Sequence, residues 1–176
     1  MNTGLARDTS GIWFRRIDSP VGPLLIAGGD EGLHLIEFHA PRHPMARCAQ
    51  WEEGDHPVLR RAQDQLARYF DGALRAFDLP LAPQGTPFQR QVWRALADIP
   101  FGQTISYAQL AMRVGRPTAM RAVGAANGRN PLPIVLPCHR VIGADGSLTG
   151  FGGGLPTKQF LLQLEGALPQ ATDLFA

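Results

Sequence analysis

Cys138 is followed directly by His139 and Arg140, and the apolar run Leu132-Pro133-Ile134-Val135-Leu136-Pro137 leads into it. That run is bounded by prolines and too short for a helix, so it can hold the cysteine in one place. A thiol attacks only as the thiolate, and its unperturbed pKa of about 8.5 calls for a neighbour that takes the proton or stabilises the charge. His139 and Arg140 are the adjacent candidates. Neighbouring side chains of an extended segment point to opposite faces, so adjacency does not by itself give a direct Cys138–His139 bond, and a water between them could carry the proton. An orienting acid would complete a Cys–His–acid arrangement, and Asp145 and Glu165 are the nearest acids downstream. Taken alone, the pattern is a weak signal, since most cysteines in such a pair are inert core residues.

Two flanking segments give the cysteine a context. The stretch from Val141 to Gly154 holds six glycines, enough to line a pocket with backbone. It lacks the Gly-Lys-Ser/Thr ending of a phosphate-binding loop, and Asp145-Gly146 has the chemistry of a hairpin turn. Upstream, Thr118 is expected to cap a helix running to about Asn127. There Ala119, Ala122, Gly124, Ala125 and Ala126 surround one long cation, Arg121. Gly124 lowers helix propensity by roughly 1 kcal/mol relative to alanine. Small residues permit close approach of another surface, or tight packing into a core.

The remaining elements must position these groups. Ile12–Ile17, Leu24–Ala27 and Leu33–Phe38 are rich in branched and aromatic residues, with Pro20-Val21-Gly22-Pro23 and Gly28–Gly32 as turns, which predicts an antiparallel meander. Ala40 to Gly54 reads as a loop or short helix. Pro57 to Phe70 reads as a helix, with Leu59, Ala62, Leu66, Tyr69 and Phe70 on its apolar stripe. The proline-punctuated stretch to Gln84 marks a boundary, giving domains 1–84 and 85–176. Beyond it Thr86-Pro87 opens a helix to about Ala97, and Ser106–Gln109 forms a capping box for another to about Val114. Gly115-Arg116-Pro117 then turns the chain into the Thr118 helix, a pattern resembling a helix-turn-helix. Thr157 to Glu165 closes the chain as a helix with Phe160, Leu161 and Leu164 apolar and Gly166 as its cap. Lys158, the only lysine, reads as a solvated first-turn residue of that helix. The fold class is α+β: a small N-terminal antiparallel sheet with a helix, and a mostly helical C-terminal domain.

Composition narrows the setting. Of 176 residues, 44% are apolar and 18% charged, which excludes a disordered, collagen-like or coiled-coil chain. No run approaches the roughly 18 apolar residues of a membrane span, and Met1 to Ser10 lacks a signal-peptide core. Cys48 and Cys138 are the only cysteines, too few for a disulfide framework, so the reducing cytoplasm is the expected location. The net charge of +2 hides an asymmetry: seven arginines and one acid, Asp98, lie between Phe88 and Arg140. A local basic field of that kind attracts a polyanion.

Pro137-Cys138-His139-Arg140-Val141, preceded by Arg121-Ala122-Val123-Gly124 and Asn130-Pro131, resembles the O6-alkylguanine-DNA alkyltransferases, or methylated-DNA–protein-cysteine methyltransferases. Pro87-Phe88-Gln89, Val92-Trp93, Ile99-Pro100, Ser106-Tyr107 and the glycine segment extend the likeness over Thr86 to Gly166. The N-terminal half matches only in general style. The resemblance implies DNA repair by irreversible, stoichiometric transfer of the alkyl group of O6-alkylguanine, and of O4-alkylthymine, from duplex DNA to Cys138. It implies that His139 is the base, Glu165 orients it, and Asn130 stabilises the segment around the cysteine. Tyr107 would donate towards the base or rotate a phosphate, and Val141, Phe151, Gly152 and Gly153 would line the base pocket. Arg121 would fill the gap left by the flipped guanine. Thr118, Ala119, Ala122, Gly124, Ala125 and Arg129 would meet the minor groove.

Departures from the family pattern carry expectations of their own. Phe151 stands where many relatives have tyrosine and Gly152 where others have serine or alanine, so bulky alkyl groups are expected to be tolerated. Some relatives bind zinc near the N-terminus. Here His34, His39, His43, His56 and Cys48 show no tight ligand spacing, so neither a metal nor another cofactor is expected. The expected partner is double-stranded DNA containing alkylated guanine, bound by a monomer, with cooperativity on DNA left open. The alternative reading is a non-enzymatic module that binds alkylated DNA, which the presence of Cys138 disfavours. A cysteine hydrolase is a more remote third.

Overall fold

A computed structural model describes residues 11–41, 43–44 and 49–169. Cys48, Met1 to Ser10 and part of the Ala40–Gly54 stretch lie outside the described residues. The meander is present as β1 (Trp13–Ile17), β2 (Leu24–Gly29) and β3 (Gly32–Phe38), each antiparallel to the next. The two-residue strand β4 (Glu52–Glu53) adds in parallel to β1, giving the order β3-β2-β1-β4. Helix α1 (Pro57–Phe70) packs on one face of this sheet. Its proline occupies the first turn, and the His56 side chain accepts from the Val58 amide as N-cap. Ile12, Leu25, Ala27 and Leu35 form a small cluster on the opposite face with Phe14 and Trp51.

The second half is helical, with α2 (Pro87–Leu96), α3 (Tyr107–Arg113), α4 (Met120–Gly128) and α5 (Leu155–Leu164). Thr86 with Gln89 and Ser106 with Gln109 form complete capping boxes. In each, the hydroxyl accepts the third amide while the glutamine reaches back to the cap. Thr118 does not cap α4. The chain turns once more through the Ala119 amide to Arg116 carbonyl bond, and Ala119 becomes an N-cap without a side-chain bond. Helix α5 starts two residues earlier than expected, at Leu155, with Pro156 in its first turn. Asp145-Gly146 does turn the chain, through the Gly143 amide to Ser147 carbonyl bond at 2.8 Å. No hairpin follows, because β6 (Val141–Ile142) instead pairs in parallel with β5 (Ile105–Ser106).

One core joins the halves: Ile26, Leu33, Leu59 and Leu66 belong to the same buried cluster as Leu96, Leu110, Leu136 and Leu161. The edge of β3 is covered. Its Leu33 exchanges bonds with Pro80 and Ala82, and its Ile36 amide donates to the Pro131 carbonyl at 2.9 Å. An otherwise open sheet edge thereby supports the loop that leads to Cys138. Helices α2 and α4 are tied by the buried Trp93, whose indole Nε1 donates to the Ala126 carbonyl at 2.8 Å. Trp93→Phe keeps an aromatic ring but removes that donor, so it should lower stability to urea unfolding by about 1–2 kcal/mol; an unchanged midpoint would show that the bond is not holding α4.

Candidate active site

Cys138, His139 and Arg140 form a single 3-10 turn, not an extended segment. Three residues per turn send the side chains in three directions, and each finds a separate environment. The Cys138 thiol is 6% exposed and lies on the wall of a pocket. Burial pushes it up to about 11, against a smaller downward pull from the Asn130 side chain and the Lys158 charge. Asn130 also donates from Nδ2 to the Leu136 carbonyl at 2.7 Å and accepts from the Leu132 amide at 2.9 Å. It thus braces both ends of the apolar run before the cysteine.

His139 is fully buried, and its Nε2 lies 2.7 Å from Glu165 Oε2. Asp145 is exposed in its own turn, so of the two candidate acids only Glu165 reaches the imidazole. Arg140 does not face the thiol. Its Nε and Nη2 donate to Glu165 at 2.7 and 3.0 Å, and Nη1 donates to the Ile99 carbonyl at 2.6 Å. The Tyr69 hydroxyl, from the apolar stripe of α1, donates to Glu165 Oε2 at 2.6 Å. Burial raises the Glu165 carboxyl, but hydrogen bonds from His139 and Arg140 outweigh it and bring it down to about 2. Burial lowers the His139 imidazole below its usual value despite the pull of Glu165. A neutral imidazole that donates from Nε2 leaves Nδ1 as an acceptor, and that buried Nδ1 has no hydrogen-bond partner among the described residues.

Lys158 is not solvated. It is fully buried, and its Nζ donates to the Val141 carbonyl at 2.6 Å and to the Thr149 carbonyl at 3.0 Å. Burial lowers its ammonium to about 8, partly countered by Cys138. Lys158, Leu161 and Leu162, three and four residues apart, form the buried face of α5, and Phe160, expected on the apolar face, lies at 36% exposure. The Tyr107 hydroxyl, on half-buried α3, also donates to the Thr149 carbonyl, at 3.0 Å.

The glycine segment folds over the pocket. Phe151 is buried and tilts against Phe38 of β3 with ring centroids 5.4 Å apart. A Cβ at Gly153 would lie 2.8 Å from that Phe38 ring, so only glycine permits this approach. A Cβ at Gly152 would meet nothing within 4 Å, and that side of the pocket is open. Val141 is fully buried, and neither it nor Gly153 lines the pocket that holds Cys138. The pocket brings together Cys138, Asn130, Arg129, Phe151 and Gly152. On α4, Arg121, Ala122 and Ala125 are exposed together with Thr118 before it and Arg129 after it, while Val123 and Ala126 face the core. The small residues at 122 and 125 therefore form a surface and are not core packing. Gly124 lies beside the Tyr107 ring, and Ala119 is half-buried.

Sequence reasoning missed Tyr69 and Lys158. A tyrosine within an aliphatic stripe carries a hydroxyl that needs a partner once buried, and that was the available signal. For lysine the signal was its singularity among the bases of the chain.

Comparison with known proteins agrees with this arrangement. Residues 87–167 match the family model described as the DNA-binding domain of 6-O-methylguanine DNA methyltransferase, and residues 12–83 match that of its ribonuclease-like domain. A methylated-DNA–protein-cysteine methyltransferase of Methanosarcina barkeri is 49% identical over 154 residues, covering 88% of this chain and 97% of the relative. One from Mycolicibacterium paratuberculosis is also 49% identical, covering 88% and 92%. The crystal structure of Mycobacterium tuberculosis OGT in complex with DNA superposes with a TM-score of 0.81 at 45% identity, covering 93% of this chain and 99% of that one. Two family models that between them span nearly the whole described chain, and relatives at this identity over most of their length, establish that the protein belongs to the methylated-DNA–protein-cysteine methyltransferase family.

Proposed function

We propose that this chain repairs duplex DNA by moving the alkyl group of O6-alkylguanine, and of O4-alkylthymine, onto Cys138, one transfer per molecule. The observation that carries the reading is a pocket-lining thiol backed by the buried His139–Glu165 pair. His139 Nδ1 takes the thiol proton through a water while Nε2–H stays on Glu165, and the Lys158 ammonium favours the thiolate. Sulfur attacks the alkyl carbon, the carbon–O6 bond breaks, and its electron pair returns to the base, which takes up a proton. The thioether does not revert, so the protein is consumed.

Base access supports the same reading. A base must leave the stack to reach a buried thiol, at a cost of a few kcal/mol that is least for a damaged pair. The helix pair α3–α4 acts as a helix-turn-helix whose second helix enters the minor groove. Ala122 and Ala125 allow close approach, Thr118, Ala119, Gly124 and Arg129 flank the duplex, and Arg121 fills the gap. Tyr107, Phe151 and Gly152 receive the base, with the open space at Gly152 admitting bulky groups. Residues 1–84 serve as a supporting domain, and 85–176 carry the chemistry. The protein acts as a monomer in the cytoplasm, where the thiol stays reduced; sedimentation of the free protein checks the monomer.

Mass spectrometry after incubation with duplexes carrying O6-methylguanine or O6-benzylguanine should place one methyl or one benzyl on the peptide holding Cys138, and Cys138→Ser should bind the duplex without an adduct. Tight lesion binding by the native protein with no adduct would instead favour the binding-module reading. Because His139 stays neutral below its usual value, single-turnover transfer should hold level as pH falls through about 6.5 and decline only in more acid solution. Glu165→Gln can donate its amide to Nε2 and trap the proton on Nδ1, so transfer should fall by about 10³-fold or more, the scale of a wrong imidazole tautomer; a rate within a few-fold of native would remove the orienting role. Arg121→Ala should slow repair of the duplex at least tenfold more than reaction with free O6-benzylguanine, roughly the penalty for losing one or two kcal/mol of base-flipped stabilisation, and equal losses would remove the finger.

A further inference from the structure

Tyr69 brings a hydroxyl from the N-terminal half of the chain to the buried carboxylate of Glu165. It is fully buried near the end of α1. Phe70, Phe77 and Phe101 hold its ring, with centroids 5.3, 5.4 and 6.3 Å away. The hydroxyl donates to Glu165 Oε2 at 2.6 Å, and His139 Nε2 meets that same oxygen at 2.7 Å. Arg140 Nη2 reaches it as well, at 3.0 Å, while Arg140 Nε takes the other oxygen. One carboxylate oxygen offers about two lone-pair sites, so three donors crowd Oε2 and compete. Burial and the Glu165 charge hold the Tyr69 phenol well above its ordinary value, so it stays a donor throughout the working pH range.

That competition bears on the imidazole. The ionisable groups around His139 are Glu165, which favours its protonation, Arg140 and Lys158, which oppose it, and the Cys138 thiol just before it in the turn. Tyr69 acts on it only through Glu165. Each bond that Oε2 accepts from another donor leaves less negative charge to hold a proton on the imidazole. We infer that Tyr69 is a positioning residue for His139: its hydroxyl shares Glu165 Oε2, steadies the carboxylate, and keeps the imidazole neutral and able to accept at Nδ1. The inference rests on the alkyl-transfer reading above. It gives residues 1–84 a part in the chemistry beyond support, because α1 must dock on α5 for the base to have its working strength.

The test follows single-turnover transfer from free O6-benzylguanine to Cys138 against pH, so that DNA binding does not enter. In Tyr69→Phe the acid decline should begin at higher pH than in the native protein, by roughly half a unit or more, because the undivided carboxylate favours the imidazolium. A purely packing role would lower the rate by one factor at every pH, or lower only the urea midpoint, and leave the decline in place. Either result overturns the inference. The opposite change uses a stronger donor. Tyr69 and Tyr107 are the only tyrosines of the chain, so 3-fluorotyrosine incorporated into Tyr107→Phe labels Tyr69 alone. Its more acidic phenol should move the decline to lower pH than in the unlabelled Tyr107→Phe protein, which is the reference. A decline that stays in place or moves up overturns the inference, and this comparison stands if the phenylalanine variant at position 69 does not fold. Failure of the native protein to take the benzyl group on Cys138 at all would instead overturn the alkyl-transfer reading.

Discussion

Everything around the thiol depends on one buried carboxylate. Glu165 accepts from His139, from two nitrogens of Arg140 and from Tyr69, and the more distant Gly102 amide also points at it, at 3.4 Å. These donors come from three separate segments of the chain, and Glu165 itself lies on a fourth. A carboxylate withdrawn from water is tolerated only when its charge and lone pairs are met, so the segments must all arrive for any to be stable. Taking away one partner of a buried pair typically costs about 3–5 kcal/mol. The orientation of His139 is therefore secured by the same contacts that dock α1 and α5 together, and catalytic geometry and folding are not separable here.

The site balances this charged hub against two neutral states. The thiol is pushed up and the imidazole down by the same withdrawal from solvent. Resting protein thus holds the sulfur protonated and the imidazole unprotonated. Lys158 adds a fixed cation nearby, held by two carbonyls and not by an acid that would cancel it. Acid affects this arrangement in two steps. His139, with its folded pKa lowered, takes up a proton more readily when unfolded, so its share of stability is present above about 6.5 and is lost progressively as pH falls below it. The Glu165 share follows between its ordinary value of 4.5 and about 2.

Local chemistry was legible in the sequence where the interaction partners are close in sequence. The capping boxes at Thr86 and Ser106 span three residues each, and both form as read. The meander strands and the α1 stripe share that property. The bonds that decide roles span long intervals: Tyr69 and Glu165 are 96 residues apart, and no periodicity in either segment announces the other. Strands β5 and β6 are two residues each, too short to leave a pattern. Lys158 stands three and four residues before Leu161 and Leu162 and so shares their buried face, a placement masked by the charge of its residue type. Likewise Thr118 looked like a cap by residue type, but the extra turn at Ala119 moved the helix start beyond it.

The Thr149 carbonyl has a double attachment, to the Tyr107 hydroxyl and to Lys158 Nζ. A carbonyl oxygen has two lone pairs, and here each is used by a different helix, α3 and α5. If the phenol swings away to meet an arriving nucleotide, the ammonium remains and the peptide group keeps a partner. The two donors make the tyrosine a redundant fastening: without the phenol, the Lys158 bond still ties this loop to α5.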